Sequence, residues 1–165
     1  MKVLLSGATA GTNFGDFIFA KMFQEFVGAI VGKENVFWND RGYYPLSEFY
    51  AKRLNYDRKF KLKDIDALVY ISGGYFCGDD KRLIDYVFRY LRYFHIGLCC
   101  LLRKKPYAII AVEAAKSNSI IIDKIQRLLI RKADLVVVRN QPSMDYVDSV
   151  IGKENRCVFC TADSV

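Results

Sequence analysis

The residues of this chain that could do chemistry gather in four short segments, each following an apolar run. The first reads Gly7-Ala-Thr-Ala-Gly-Thr-Asn13-Phe-Gly15-Asp16. Main-chain N–H groups at a glycine-rich helix opening can hold an anion. Asn13 and Asp16 are suited to bridging the hydroxyls of a sugar. The same two side chains serve equally as helix caps, which stabilise by ~1 kcal/mol with no ligand at all. The spacing is neither GxGxxG nor GxxxxGK followed by Ser or Thr, so these glycines do not specify a nucleotide. The second segment, Ser72-Gly73-Gly74-Tyr75-Phe76, closes the apolar run that begins at Ala67. Its adjacent glycines bare the backbone for close approach of a ligand, more than a tight turn requires. The third, Glu113-Ala-Ala-Lys116-Ser-Asn118, offers a carboxylate for general base work or hydroxyl binding. Alternatively Glu113 pairs with Lys116. The fourth, Arg139-Asn-Gln-Pro-Ser143, sets a guanidinium suited to a carboxylate or phosphate at the end of the run 135–138. As structure, Arg139 would pair with Asp163 or Asp16, and Ser143 would cap the following helix.

Such groups need elements that bring them to one place. The run 67–72 has no room for a solvent face, which marks a strand buried on both sides in a parallel sheet. Further strands are expected at 2–6, 35–38, 107–112, 135–139 and 157–160. Helical spacing covers 15–31, through Phe19, Phe23, Phe26, Val27 and Ile30, with Gly32 as its stop. It recurs at 79–103, with Leu83, Ile84, Val87, Phe88 and Leu91 on one side and Gly97 as a break or kink. It recurs again at 118–131, with Ile121, Ile122, Ile125, Leu128 and Leu129 inward, and at 142–151, where Pro142 suits a first turn. The polar, aromatic and basic stretch 39–63 reads as loop plus a short helix over 46–54. This alternation predicts an α/β, Rossmann-like parallel sheet of about six strands with helices on both faces, as a single domain over 1–165. In such a sheet the ligand sits beyond the carboxyl ends of the strands, where all four segments emerge.

Composition narrows the partners. The 165 residues are 52% hydrophobic and 26% charged, with a net charge of +7. The basic clusters Lys52-Arg53, Arg58-Lys59, Lys61-Lys63 and Arg103-Lys104-Lys105 suit a solvated surface or a polyanion. No helix-turn-helix, RRM-like or zinc-finger signature is present, so nucleic acid is not expected as a partner. Tyr90, Arg92, Tyr93, Phe94 and Arg103-Lys104-Lys105 give an aromatic and basic face that a membrane surface could accept. The first apolar run, Val3 to Leu5, is shorter than the ~7–15 residues of a signal sequence. The run 96–102 falls short of the ~20 residues that cross a bilayer. Five cysteines outside any secreted-scaffold pattern point to a reduced, cytoplasmic setting. Cys157 and Cys160 have CxxC spacing, but in a strand residues i and i+3 face opposite sides, against a redox or zinc role. His95, the only histidine, lies in an aromatic helical segment where packing or surface placement is expected. No metal-ligand spacing and no GxSxG elbow occur, so neither metal nor cofactor is expected.

Four of these segments, taken in order, resemble the polysaccharide pyruvyl transferase family: Asn13-Phe-Gly15-Asp16; Asp66-Ala-Leu-Val-Tyr-Ile-Ser-Gly73-Gly74; Ala133-Asp134-Leu-Val-Val-Val-Arg139 with Ser143 four later; and Ala162-Asp163-Ser-Val165. That family shows an N-x-GD loop after its first strand, a strand ending in glycines, an arginine-ended strand followed by serine, and an Asp-Pro segment between its domains. Here Ser72 or Tyr75 stands where the third glycine is usual, Glu113-Ala-Ala-Lys116 replaces a glycine-proline turn, and Asp163-Ser164 replaces Asp-Pro.

The resemblance implies the first half of a two-domain, GT-B-like fold. It implies transfer of a pyruvyl group from phosphoenolpyruvate to a cell-surface glycan or its lipid-linked precursor, in the cytoplasm or at the inner face of the membrane. Asn13, Gly15, Gly73, Gly74, Arg139 and Ser143 would then line the cleft as binding residues, with Asp16 and Glu113 as catalytic carboxylates. The sequence ends at Val165, where the second domain would begin, so this half alone is expected to be inactive and to need a second domain, a partner chain or self-association. The alternatives are a non-catalytic glycan- or anion-binding module and a peripheral membrane protein.

Overall fold

The computed structural model describes residues 1–7, 14–39, 54, 59–78, 82–152 and 157–161. In chain order these form β1 (Val3–Gly7), α1 (Phe14–Val31), β2 (Val36–Trp38) and β3 (Ala67–Phe76). Then come α2 (Leu83–Arg89), a π-helical turn (Tyr90–Phe94), α3 (His95–Leu102) and β4 (Tyr107–Ala114). The series closes with α4 (Ile120–Lys132), β5 (Leu135–Val138), α5 (Gln141–Ile151) and β6 (Cys157–Cys160). The six strands make one parallel sheet in the order β2-β1-β3-β4-β5-β6. The expected α/β, Rossmann-like architecture is therefore present. The short helix expected over 46–54 lies outside the described residues, Leu54 excepted, as do Asn13, Asp79, Asp80 and Asp163.

Alternation along the strands divides the core. Leu4, Leu68, Tyr70, Ile109 and Val136 pack with residues of α3, α4 and α5 on one face. Val3, Leu5, Val36, Trp38 and Ile71 pack with α1 on the other. The chain runs from β1 outward to β2, then returns past β1 to β3 and continues the opposite way. That reversal is the topological switch point of the sheet, and it falls between β1 and β3.

Several elements differ from the sequence expectation. Strand β3 continues through Ser72, Gly73 and Gly74 to Phe76, and β4 continues through Glu113 to Ala114. Each extension sustains the other, since Gly73 pairs with Val112 and Phe76 with Ala114. Both strands pass through a bulge there, with positive φ at Ser72 (38°), Gly73 (112°) and Ala111 (56°). Helix α4 turns Ile121 (71% exposed) and Leu128 outward rather than inward, because Ile122, Gln126, Leu129 and Ile130 form its buried row. Phe26 and Ile30 of α1 also face out.

Gly97 does not break its helix. It is buried, and a Cβ there would lie 2.3 Å from the Tyr70 hydroxyl oxygen. The irregularity falls upstream, in the π turn, where Tyr93 O accepts from the Tyr70 hydroxyl (2.8 Å) and Arg92 O accepts from Asn39 Nδ2 (3.0 Å). Side chains of β3 and of the residue after β2 thus fasten the π turn to the sheet.

Candidate functional site

The carboxyl edge of the sheet around the switch point brings together Asp16, Gly74, Glu113 and Arg139. Asp16 stands in the first turn of α1. The helix dipole there favours a carboxylate, yet burial dominates and pushes its carboxyl above the usual value, with the Arg139 charge opposing. An Asp held this way is a better proton acceptor than a free one, and it faces a cation across the switch point.

Arg139 follows the last residue of β5 and forms an ion pair with Glu113 on β4, through Nη2 and Oε2. The partner of Glu113 here is Arg139, where the sequence offered Lys116; the Arg139 charge also acts on Asp16, and the pairing with Asp163 lies outside the described residues. The bulge at Ala111 makes the pair geometrically available. An extra residue in β4 shifts the alternation, so Val112 and Ala114 stay in the core while Glu113 points to the face that α1 covers. A non-glycine residue at positive φ costs on the order of 1–3 kcal/mol and persists where its surroundings demand it. Here it aims the carboxylate.

Gly74 is exposed, and a Cβ built on it would approach Glu113 Oε2 at 3.8 Å. The glycine pair thus borders the Glu113–Arg139 ion pair, with Gly73 supplying a backbone angle that only glycine adopts freely. Gly15 is exposed beside Asp16 at the start of α1.

Ser143 sits differently from its sequence reading. It is 1% exposed, and its Oγ accepts from the Ala114 N–H at 3.0 Å. The capping side chain of α5 is Asn140, whose Oδ1 accepts from the Ser143 N–H at 2.9 Å. Ser143 therefore ties α5 to the end of β4, directly behind Glu113.

The sequence reading missed a buried polar group beneath this edge. Tyr75 donates its hydroxyl to Ile71 O (3.0 Å) and Ser6 O (3.3 Å), and Asn39 Nδ2 donates to Ser6 Oγ (3.1 Å). The Tyr75 ring stacks on Tyr93 with centroids 4.3 Å apart. Burial drives the Tyr75 hydroxyl well above its ordinary pKa, so it stays a neutral donor. These contacts lock the ends of β1, β2 and β3 in register. Ser6 and Asn39 each follow an apolar run, a signal that could have marked them.

Among the described residues, no group of three or more His, Cys, Asp or Glu side chains is placed to hold a metal ion. Cys157 and Cys160 are free and exposed on the edge strand β6. His95 opens α3 beside the Tyr90 ring. No described helix is long and apolar enough to cross a membrane.

Fold and edge together define an α/β domain of the kind that receives a ligand at the carboxyl ends of a parallel sheet, with carboxylates and an arginine waiting there. The family model for polysaccharide pyruvyl transferase matches residues 13–165, and the chain belongs to that family. Comparisons with curated proteins and with solved structures gave no match.

Proposed function

We propose that this domain binds the glycan acceptor for pyruvyl transfer from phosphoenolpyruvate, with Asp16 as the base that takes the acceptor's hydroxyl proton. The observation that carries this reading is the meeting, at the switch point, of a carboxyl made more basic by burial with the Glu113–Arg139 ion pair. Family membership supplies the reaction class.

Ketal formation joins two acceptor hydroxyls to C2 of the enolpyruvyl group. The methylene C3 gains one hydroxyl proton and becomes methyl. The C2–O bond to phosphate breaks, and inorganic phosphate leaves with the other proton. Asp16 accepts a proton from the attacking hydroxyl. Glu113 accepts a hydrogen bond from the acceptor and, through its ion pair, sets the Arg139 guanidinium at the rim. Arg139 attracts the anionic donor. The backbone at Gly73 and Gly74, with Gly15 across the switch, admits the sugar closely, and Asn13 binds its hydroxyls. Ser143 positions β4 from behind. A second domain or a partner chain supplies the remaining donor contacts, and the acceptor is a cell-surface glycan or its lipid-linked precursor.

The test is phosphate release from phosphoenolpyruvate by the full gene product, with and without a glycan acceptor. Acceptor-dependent release that drops in Asp16→Asn and Arg139→Ala supports the assignment. Turnover left intact in both variants removes it, and glycan binding without turnover in the wild type points to a binding module instead.

A further inference from the structure

The chain carries a net charge of +7, and much of it gathers at the end of the sheet away from the candidate site. Every strand pairing is parallel, so the segments that enter the strands share one edge, the amino edge. Lys2, at the entry to β1, lines one surface depression there with Lys59, Lys61 and Lys63, on the way into β3. Helix α3 delivers Arg103 and Lys104 to the same edge, at a turn where Lys104 takes φ 53°. Lys105 joins the two groups. Its Nζ donates to Lys63 O at 2.8 Å, to Leu62 O at 3.3 Å and to Ile65 O. The turn before β4 is thereby fixed against the loop before β3, and six cations make one surface.

All six are exposed, and none forms an ion pair among the described residues. Asp64 and Asp66 stand beside them, and Asp66 Oδ2 already accepts from the Lys2 main-chain N–H at 2.7 Å. The residues outside the described set bring no excess of acid. Residues 40–58 include four basic and three acidic side chains, and 153–156 two and one. At the carboxyl edge, by contrast, charge is paired off, Arg139 with Glu113 and Arg82 with Asp85.

Like charges held together repel one another, and a cluster of about 4–8 Lys or Arg is the composition that anionic lipid attracts. Two features select that anion over a soluble one. Five of the six cations are lysines, point charges that suit a diffuse layer of headgroups, whereas shaped recognition of single phosphates favours the arginine fork. Apolar side chains also stand among them. Leu102, 82% exposed, precedes Arg103-Lys104, and Met1, 66% exposed, precedes Lys2. Such side chains gain by entering the headgroup layer and gain nothing from a soluble polyanion.

We propose that the amino edge of the sheet is a docking surface for an anionic phospholipid bilayer. The membrane face read from the sequence contributes only its basic half, Arg103-Lys104-Lys105, because Phe94 is buried and Tyr93 stacks on Tyr75. Docked this way, the candidate site opens away from the bilayer, beyond strands about 30 Å long. For a lipid-linked acceptor, the reacting sugar then lies at the end of the glycan far from its lipid. That consequence rests on the proposed function, whereas the docking does not.

Flotation of the 165-residue chain with vesicles tests the docking without substrate or turnover. The expected result is flotation with phosphatidylcholine vesicles that contain phosphatidylglycerol and none with phosphatidylcholine alone. Bound chain should be released as salt rises from ~0.1 M to ~1 M. The double variants Lys61→Glu/Lys63→Glu and Arg103→Glu/Lys104→Glu should each lower vesicle affinity about tenfold or more, with an unchanged far-UV circular dichroism spectrum. The two pairs lie on separate exposed segments, so a folding failure in one leaves the other to decide. Leu102→Ser, which leaves the charge unaltered, should weaken flotation as well. A chain that floats with neither kind of vesicle overturns the proposal, as does flotation indifferent to both charge reversals. So does a chain that ignores vesicles and binds a single-stranded oligonucleotide, which would assign the edge to nucleic acid.

Discussion

At Asp16, burial and a nearby cation pull the carboxyl in opposite directions, and burial prevails. The raised folded-state value means that ionised Asp16 costs stability. Its contribution is complete below the ordinary 3.8 and is lost as pH rises through the folded value. Asp16→Asn should therefore melt higher than wild type at neutral pH, with the difference closing below pH 3.8, as thermal melts at the two pH values will show. Lower stability of the Asn variant at neutral pH would mean that the carboxylate is a structural cap. Ser143 makes the opposite kind of prediction. Ser143→Ala leaves the Ala114 N–H buried without its acceptor and should cost about 1–3 kcal/mol in denaturant unfolding. Because β4 carries Glu113, turnover should fall too, while Ser143→Thr, which keeps the hydroxyl, should restore part of it.

Among the elements, the π turn and α3 depend on contacts with the sheet. Gly97→Ala places a methyl 2.3 Å from the Tyr70 hydroxyl oxygen and 3.0 Å from Leu129 Cδ2, against buried groups with little room to yield. It should destabilise by about 1–3 kcal/mol despite alanine's better helix propensity, measured by chemical denaturation. A gain in stability would mean that the helix can shift off Tyr70. The sequence showed a glycine in a helical pattern, and local rules read it as a break. Only the tertiary approach of Tyr70 reveals its purpose. The same limit applies to the strand ends. Apolar runs located all six strands, but the continuation of β3 through Gly73 and Gly74 depends on β4 beside it. The Glu113–Arg139 pair was legible as two candidate residues and not as a pair, because a bulge at an ordinary alanine sets the side chain's direction. Helical periodicity likewise found α1 but did not distinguish a face buried in this domain from a face left open, since both are apolar.

For the whole molecule, the order β2-β1-β3-β4-β5-β6 explains where the candidate site lies. One reversal of direction puts α1 on the opposite side of the sheet from the helices that follow β3, β4 and β5, where Leu54 packs with it. It also opens a crevice at the switch point, where the sequence segments with chemical potential converge. The family match over residues 13–165 agrees with the ordered motifs from which the resemblance was drawn. The most direct measurement is the acceptor-dependent release of phosphate from phosphoenolpyruvate by the full gene product, compared with Asp16→Asn and Arg139→Ala. A base at this position contributes about 10²–10⁴-fold, so the account predicts at least a hundredfold loss in kcat for Asp16→Asn. It predicts a rise in the KM for phosphoenolpyruvate in Arg139→Ala. Turnover within a few-fold of wild type in both variants would contradict it and move the chemistry away from the switch point.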